Sequence, residues 1–191
     1  FNDTATTEIY TLSLHDALPI CKSSLTGRIT RARPRTAPYP FTTLHPQIGV
    51  IDFTDERRGD RRLLLADIPG LIEGAHEGAG LGTRFLDHVE RCRALLHLVD
   101  GTQDDVATAY KTVRAELKAY GGNLARKKEI VALNKTDAMT EEDIETKRAQ
   151  LARASRKTVH VISGVSGAGV QKLLGELMKL VEAQTKAKEA A

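Results

Sequence analysis

The sequence predicts an α/β fold built on a mostly parallel sheet. From Arg62 onward, short apolar runs alternate with longer amphipathic stretches, which is the order expected of strands and their crossover helices. Each apolar run ends at a polar residue or a loop. With 191 residues and 41% hydrophobic content, the chain can bury one full core, so we expect a single domain.

The elements follow one another in a regular order. The predicted strands cover residues 49–53, 63–66, 94–99, 130–133 and 159–162. The first two should pair antiparallel through the charged turn 55–60. Helical spacing of apolar residues predicts helices over 82–91, 107–120, 141–155 and 170–188. Ligands of such sheets bind beyond the carboxyl ends of the strands, so the residues after each run should converge on one site.

Composition excludes several classes of protein. The formal charge of +3 is a small excess over 28 basic and 25 acidic residues, and it does not require a nucleic-acid partner. One basic cluster, Arg28 to Arg35, is either a solvated helix end or an RNA contact. Two cysteines form neither a disulfide framework nor a metal motif. No apolar run approaches the roughly 18 residues that a membrane span needs, so we expect a cytoplasmic protein without membrane contact.

The tetrapeptide Asn134-Lys135-Thr136-Asp137 directly follows the run 130–133 and indicates a guanine pocket. A carboxylate held at a strand end can accept two hydrogen bonds, from N1 and from the exocyclic amine of guanine. Asn134 and the stem of Lys135 would brace the base. Adenine presents an acceptor where the carboxylate needs a donor, so this site favours guanine. A tetrapeptide of this kind also arises by chance, so its value as evidence depends on the motifs before and after it in the sequence.

Two neighbouring segments support a nucleotide site. Asp67-Ile68-Pro69-Gly70 follows a strand and fits the element whose Asp holds Mg²⁺ through water while the Gly amide meets the terminal phosphate. Alone it would indicate only a strand followed by a Pro-Gly turn, and its place ahead of residues 134–137 favours the phosphate interpretation. Ser163-Gly164-Val165 suits a loop whose backbone amide meets the guanine O6.

Two loops are predicted to sense the terminal phosphate. Thr42 and Thr43 lie in segment 39–46, where a loop threonine can reach the metal and the terminal phosphate only when that phosphate is present. Segment 71–82 carries four glycines and has the backbone freedom expected of a second switch. Leu71, rather than a glutamine, follows Gly70. We therefore expect slow hydrolysis, or hydrolysis that relies on another group.

Together these segments resemble the G domain of the Obg family of GTPases, from about Lys22 to the C-terminus. The resemblance rests on residues 39–46, 67–75, 78–82, 134–137 and 162–167. It implies a P-loop NTPase-like G domain, with a mostly parallel central sheet flanked by helices. It also implies a Mg²⁺-dependent GTP/GDP switch that hydrolyses slowly and associates with the large ribosomal subunit during its assembly. We expect a monomer that lacks the glycine-rich domain preceding the G domain in that family.

The resemblance also assigns roles to individual residues. Ser23 and Thr43 would bind the metal directly, and Asp67 would hold it through water. Composition does not separate Thr42 from Thr43, and the resemblance favours Thr43. The expected nucleotide-binding residues are Lys22, Ser23, Ser24, Phe41, Thr42, Thr43, Leu44, His45, Asp67, Ile68, Pro69, Gly70, Asn134, Lys135, Thr136, Asp137, Ser163, Gly164 and Val165.

The phosphate loop departs from the family pattern, which reads Gly-x-Pro-Asn-Ala-Gly-Lys-Ser. Lys22 and Ser23 are in place, but Asp16, Pro19 and Cys21 stand at the first glycine, the asparagine and the last glycine. An acidic side chain repels a polyphosphate, a proline removes an amide donor, and a Cβ at the last glycine crowds the loop. As written, this loop should bind phosphate poorly.

The reason for the departure lies in residues Asn2 to Ile20, which resemble, codon for codon, the translation of a widely used sequencing-library adapter. The last T of that adapter, followed by GC, gives the TGC codon of Cys21, whereas GGC would encode the expected glycine. We interpret residues 1–21 as a non-native segment that replaces the first strand and the phosphate loop. Residues 22–183 then form the G domain, and 184–191 a polar tail. A divergent natural N-terminus is the alternative.

Three further expectations complete the sequence analysis. Residues 8–12 have acceptable β propensity, so 7–14 can form a strand whatever their origin. His45 lies beside the switch threonines and has either a nucleotide contact or a loop role, whereas His97 alternates within a buried strand and should be a satisfied core residue. Two functions stay open: an Obg-type GTPase, or a nucleotide-binding-deficient fragment that binds ribosomal RNA through Arg28 to Arg35. A GTPase of another type fits segments 39–46 and 67–75 less well.

Overall fold

The computed structural model describes residues 7–14, 48–55, 59–67, 92–120 and 124–189. The strands are β1 (Thr7–Leu14), β2 (Ile48–Asp55), β3 (Gly59–Asp67), β4 (Ala94–Asp100), β5 (Lys128–Asn134) and β6 (Val159–Val161). The helices are α1 (Val106–Tyr120), α2 (Glu141–Ser155) and α3 (Val170–Glu189). Short 3₁₀ turns cover Leu124–Arg126 and Thr136–Ala138.

The strands form one sheet in the order β2-β3-β1-β4-β5-β6. β2 pairs antiparallel with β3, and Ile51 lies opposite Leu63, which confirms the predicted hairpin. All other pairs are parallel. β1 lies between β3 and β4, so the strand expected from the β propensity of residues 8–12 is confirmed and occupies an inner position of the sheet.

Helices cover both faces of the sheet, and each face has its own core. Because side chains alternate along a strand, Leu96 and Leu98 of β4 face α3 and pack with its Leu173 and Leu177. On the opposite face, residues of β4, β5 and β6 pack with residues of α1 and α2; the members of this cluster are Val99, Val106, Tyr110, Val131, Leu133, Leu151 and Val159. Each fully buried leucine contributes about 1.5–3 kcal/mol, so these two cores hold the strand ends in place.

The boundaries of α2 follow from its terminal residues. Thr140 caps the helix because its hydroxyl accepts from the Asp143 amide at 3.2 Å, and three acidic residues occupy the first turn. Arg156 ends the helix in a left-handed conformation with φ 56°, and its amide donates to Ala152 O at 2.9 Å. These signals confirm the helix predicted over 141–155.

The other predicted elements are confirmed with small shifts at their ends. β5 begins at Lys128, two residues before the apolar run, and β6 ends at Val161, so Ile162 belongs to the following loop. The helix predicted over 82–91 lies outside the described residues. Among the helices that the structure describes, none has the length and apolar content to cross a membrane.

His97 is part of a buried polar cluster around Glu129. The His97 ring is 1% exposed, its Nδ1 lies 3.0 Å from Glu129 Oε1, and it stacks on Tyr110 with 4.8 Å between ring centroids. The Tyr110 hydroxyl donates to Glu129 Oε2 at 3.0 Å, and Lys157 Nζ donates to the same oxygen. This network confirms that His97 is a core residue, with its Nδ1 satisfied by Glu129.

Candidate functional site

Polar residues meet at the carboxyl edge of the sheet, where the parallel strands end. Asp67 ends β3, Asp100 ends β4 and Asn134 ends β5. Asp100 and Asn134 lie directly opposite each other in the parallel register. The loop after β6 begins at the same edge. The convergence expected from the sequence is therefore confirmed for these strands.

Four hydrogen bonds join the predicted base-binding residues 134–137 to residues 162–164. The Ser163 hydroxyl donates to Asp137 Oδ1 at 2.5 Å, and the Gly164 amide donates to Asn134 Oδ1 at 2.9 Å. Both the amide and the hydroxyl of Thr136 donate to Ile162 O, at 3.3 Å and 2.9 Å. Residues 134–137 and 163–165, about thirty positions apart, thus form one structural unit.

Within this unit, the two acceptor side chains differ in exposure. Asn134 is 3% exposed and uses its side-chain oxygen to hold the loop, which makes it a brace for the pocket. Asp137 is exposed, with one carboxylate oxygen oriented by Ser163. A carboxylate has about four lone-pair sites, so Asp137 can still accept two further hydrogen bonds from a ligand.

The loop from 163 to 169 is held by its own hydrogen bonds. The Ser163 amide donates to Ala168 O at 3.0 Å, and the Gly167 amide donates to Ser163 O at 2.9 Å. Gly169 has φ 72°, and a Cβ there would lie 2.1 Å from Val161 O. Val165, a large hydrophobic residue with 61% exposure, lies in this loop beside the base-binding residues.

Asp100 is a site residue that sequence reasoning did not identify. Lys135 adopts a left-handed conformation, with φ 64°, and its Nζ donates to Asp100 Oδ2 at 2.5 Å. The Thr102 amide and hydroxyl both donate to Asp100 Oδ1, at 2.9 Å and 2.7 Å. Burial alone would raise the pKa of Asp100, but the bonds from Lys135 and Thr102 outweigh it and hold that pKa below its ordinary value. Its position at the end of β4 was the available signal.

Gly101 allows β4 and β5 to approach closely at this edge. Its amide donates to Asn134 O at 2.9 Å. A Cβ at this position would lie 2.5 Å from Met139 Sδ and 2.8 Å from Asn134 O. Lys147 of α2 donates to Gly101 O and Gln103 O, at 2.8 Å and 2.7 Å. Gly101 therefore holds the backbone of Asn134, and Lys147 of α2 holds the segment that carries Gly101.

Of the predicted phosphate-binding and metal-binding residues, the structure describes only Asp67. The structure places the backbone of Asp67 beside Leu12 of β1. The remaining predicted residues lie outside the described ones; they are Lys22, Ser23, Ser24, Phe41, Thr42, Thr43, Leu44, His45, Ile68, Pro69 and Gly70. The arginines from 28 to 35, the second switch segment and the altered loop at Asp16, Pro19 and Cys21 lie outside them too.

Comparison with known proteins agrees with this geometry. A family described as "50S ribosome-binding GTPase" matches residues 21–135, more than half of the chain. Two solved structures of Era resemble the fold with TM-scores of 0.63 and 17% identity. One holds MgGDPNP and nucleotides 1506–1542 of 16S ribosomal RNA, and the other is a point variant of Aquifex aeolicus Era bound to GDP and AlF₄⁻.

Coverage limits what these structures imply. They align with 92% and 91% of this chain, which spans 57% of the length of each Era chain. At 17% identity they show the fold, which is that of a P-loop GTPase G domain, a parallel sheet flanked by helices. The family model also matches residues 21–135, which include Asn134 and Lys135, and this match identifies the family. The chain belongs to the family of 50S ribosome-binding GTPases.

Proposed function

We propose that this protein is a guanine-nucleotide-binding GTPase of the Obg type, a slow GTP/GDP switch acting in assembly of the large ribosomal subunit. The observation that carries the guanine assignment is the joining of residues 134–137 to residues 163–165. The bonds Ser163–Asp137 and Gly164–Asn134 hold the Asp137 carboxylate and the 163–165 loop in one unit. Guanine offers two donors and one acceptor on the edge that would face this unit.

Each residue of the unit has a separate task. Asp137 accepts hydrogen bonds from N1 and the exocyclic amine, and a backbone amide of the 163–165 loop donates to O6. Asn134 holds that loop at 2.9 Å and fixes its distance from Asp137. The aliphatic stem of Lys135, with its ammonium group tied to Asp100, covers one face of the base. Adenine would leave the Asp137 carboxylate facing an acceptor, which accounts for specificity.

The phosphate half of the proposed site is assigned from the family resemblance. Lys22 would bind the terminal phosphates, and the amide of Gly70 would meet the last of them. The hydroxyls of Ser23 and Thr43, with Asp67 acting through water, form an all-oxygen donor set of the kind Mg²⁺ prefers. When bound, Mg²⁺ offsets the charge that develops on the phosphate oxygens. Leu71, rather than a glutamine that could orient the attacking water, follows Gly70, so we expect slow hydrolysis.

The Obg type is supported by segments 39–46 and 67–75, together with the family description, which names the 50S ribosome. Era, the protein in the similar solved structures, is another GTPase, and its complex with 16S ribosomal RNA concerns that protein. We propose that this chain acts in the cytoplasm as a monomer and takes the large subunit as its partner.

The domain division is part of the same proposal: residues 1–21 non-native, 22–183 the G domain and 184–191 a polar tail. The family match begins at residue 21, where the adapter-like segment ends, which supports this division. Residues 7–14 pair with both β3 and β4 as β1, and their β propensity suits a strand. The predicted phosphate loop still carries Asp16, Pro19 and Cys21, so the chain as written should bind phosphate poorly.

A titration with fluorescent GDP tests the proposal on two proteins. One is the chain as written, and the other has glycine at 21 and a glycine-rich phosphate loop upstream. We expect tight binding only in the second, and a loss of about 100-fold there on Asp137→Ala, since two hydrogen bonds to a charged group are removed. Equal tight affinity in both chains contradicts the loop assignment. Equal affinity for GDP and ADP in the restored chain contradicts the guanine assignment.

A further inference from the structure

We propose that the amino ends of β4, β5 and β6 form a contact surface for the phosphodiester backbone of RNA. We call this surface the basic edge and define it by six cations: Arg93, Arg126, Lys127, Lys128, Arg156 and Lys157. It lies at the opposite end of the strands from Asn134 and Asp137. It is therefore separate from the proposed nucleotide site, and its function does not depend on guanine binding.

Parallel pairing builds the basic edge from three distant parts of the chain. Ala94 lies opposite Lys128, which places Arg93 next to Lys127. Val131 lies opposite Val159, and Lys157 donates to Glu129, so the segments that precede β5 and β6 lie side by side. Only Lys128 lies within a strand, and the other five cations precede β4, β5 or β6. Because these strands are neighbours in the sheet, the cations lie in a row along their amino ends.

The charge of this row is strongly one-sided. Within residues 92–94, 124–130 and 155–159, the only carboxylate is Glu129. Its side chain is 0% exposed and lies beneath the surface, where it pairs with Lys157 and His97. The whole chain has a net charge of only +3, so this edge concentrates positive charge that the rest of the molecule offsets. At the opposite edge, β3 and β4 end in aspartates.

The exposure of the cations divides them into two groups. Arg93, Lys127 and Lys157 are half-buried, and Lys127 donates to Cys92 O while Lys157 donates to Glu129. Arg126, Lys128 and Arg156 are exposed. Arg156 holds φ 56°, a conformation usually occupied by glycine at the end of a helix. Arg156 is therefore a long cationic residue at a backbone position that favours glycine.

An open groove of about 530 Å³ continues the basic edge toward α3. Lys128, Lys157 and the exposed Thr158 line one side, and Lys179 of α3 lines the other. Glu176 also lines the groove, but Lys179 pairs with it at 2.8 Å and offsets its charge. An exposed pair of this kind is weak, so Lys179 can exchange Glu176 for a phosphate. The groove therefore adds a hydroxyl donor and a further cation to the row.

RNA is the partner that this chemistry fits. A row of lysines and arginines neutralises backbone phosphates without reading base sequence. Arginine in particular matches the geometry of phosphate oxygens through paired N–H donors. The family is described as ribosome-binding, which makes ribosomal RNA the abundant polyanion in reach. An acidic polypeptide is the competing partner, and the experiment separates the two.

The test measures fluorescence anisotropy of a fluorescein-labelled RNA duplex of about 16 base pairs, titrated with the full chain between about 50 and 200 mM salt. The edge variant carries Arg126→Gln and Lys128→Gln. The control variant carries Lys111→Gln and Arg148→Gln, which remove one exposed lysine and one exposed arginine from the outer faces of α1 and α2. Thermal unfolding of all three proteins establishes that they are folded.

We expect the edge variant to reduce the slope of log K against log salt by about 2, and to weaken binding at every salt concentration. The control variant should keep the original slope. Equal losses in both variants would show that overall charge, rather than this edge, attracts RNA, and would overturn the proposal. Absence of RNA binding by the unaltered chain would overturn it as well. Polyglutamate that competes as effectively as unlabelled RNA would also overturn it, because an acidic polypeptide would then be the better partner. No nucleotide is present, so failure here leaves the proposed GTPase function intact.

Discussion

Lys135 Nζ lies 2.5 Å from Asp100 Oδ2, so the lysine of the base-binding segment is tied to the end of the neighbouring strand β4. The two residues are 35 positions apart in sequence. Asp100 is 6% exposed and is held in turn by Thr102. The orientation of Lys135 over the pocket is thus decided by a residue that makes no predicted contact with the nucleotide.

Replacing Asp100 should loosen this arrangement. We expect Asp100→Asn to lower the free energy of unfolding by about 1–3 kcal/mol, because a charge-assisted hydrogen bond is lost and the Lys135 ammonium group loses its partner. In a chain with a restored phosphate loop, GDP affinity should fall as well. Urea unfolding and the GDP titration measure the two effects. The exposed Asp104 offers a control, and an equal loss in Asp104→Asn would contradict the assignment.

Two glycines make a matched pair for testing the close approach of β4 and β5. Gly101→Ala should lower the free energy of unfolding by about 1–3 kcal/mol, because the new Cβ meets Met139 Sδ at 2.5 Å and the carbonyl of Asn134 at 2.8 Å. Gly175 lies in α3, where an added Cβ would have no other atom within 4 Å, so Gly175→Ala should stabilise the protein by about 0.5–1 kcal/mol. Chemical denaturation of both variants measures the effects. Changes of the same sign would show that helix propensity and close packing do not govern these two positions.

The buried cluster around Glu129 should make a large contribution to stability. Glu129→Gln removes the charge that His97, Tyr110 and Lys157 share, and we expect a loss of about 3 kcal/mol at neutral pH. The control is Glu145→Gln, which removes a carboxylate from an exposed pair with Arg148 and should leave the midpoint of unfolding unchanged. Equal midpoints in the two variants, measured by urea titration, would rule out the buried network as a source of stability.

The same carboxylate predicts how stability depends on pH. Burial would raise the pKa of Glu129, but hydrogen bonds from His97 and Lys157 outweigh it and lower that pKa to about 2, against an ordinary value of 4.5. A lowered pKa in the folded state means that the stabilisation is complete above pH 4.5 and is lost as the pH falls toward 2. We expect a loss of about 3 kcal/mol over this window.

Unfolding measured across the acid range, with Glu129→Gln for comparison, checks this dependence. The variant should show a flatter profile, retaining only the contribution of other carboxylates such as Asp100, whose pKa is also lowered. Parallel profiles for the two proteins would mean that Glu129 is not the titrating group.

Local patterns were sufficient for much of the fold. The alternation of apolar runs and amphipathic stretches predicted the order of β2 to β6 and of the three described helices. Thr140 and the acidic first turn identify the start of α2, since both act on backbone groups within one helical turn. Residues 7–14 show the limit of such reasoning. Their β propensity predicted a strand, but its position in the sheet is set by backbone pairing with β3 and β4.

The predicted guanine-binding motif could be identified in the sequence because Asn134 to Asp137 are contiguous and begin at the end of a strand. Sequence alone therefore predicted the fold class, the order of the strands and the candidate base-binding residues. Only the tertiary structure decided that Asp100 holds Lys135, that Glu129 gathers His97, Tyr110 and Lys157, and that the segments preceding β5 and β6 lie side by side. The physical reason is that these relationships join residues from 19 to 35 positions apart, whose distances are set by strand register and helix packing.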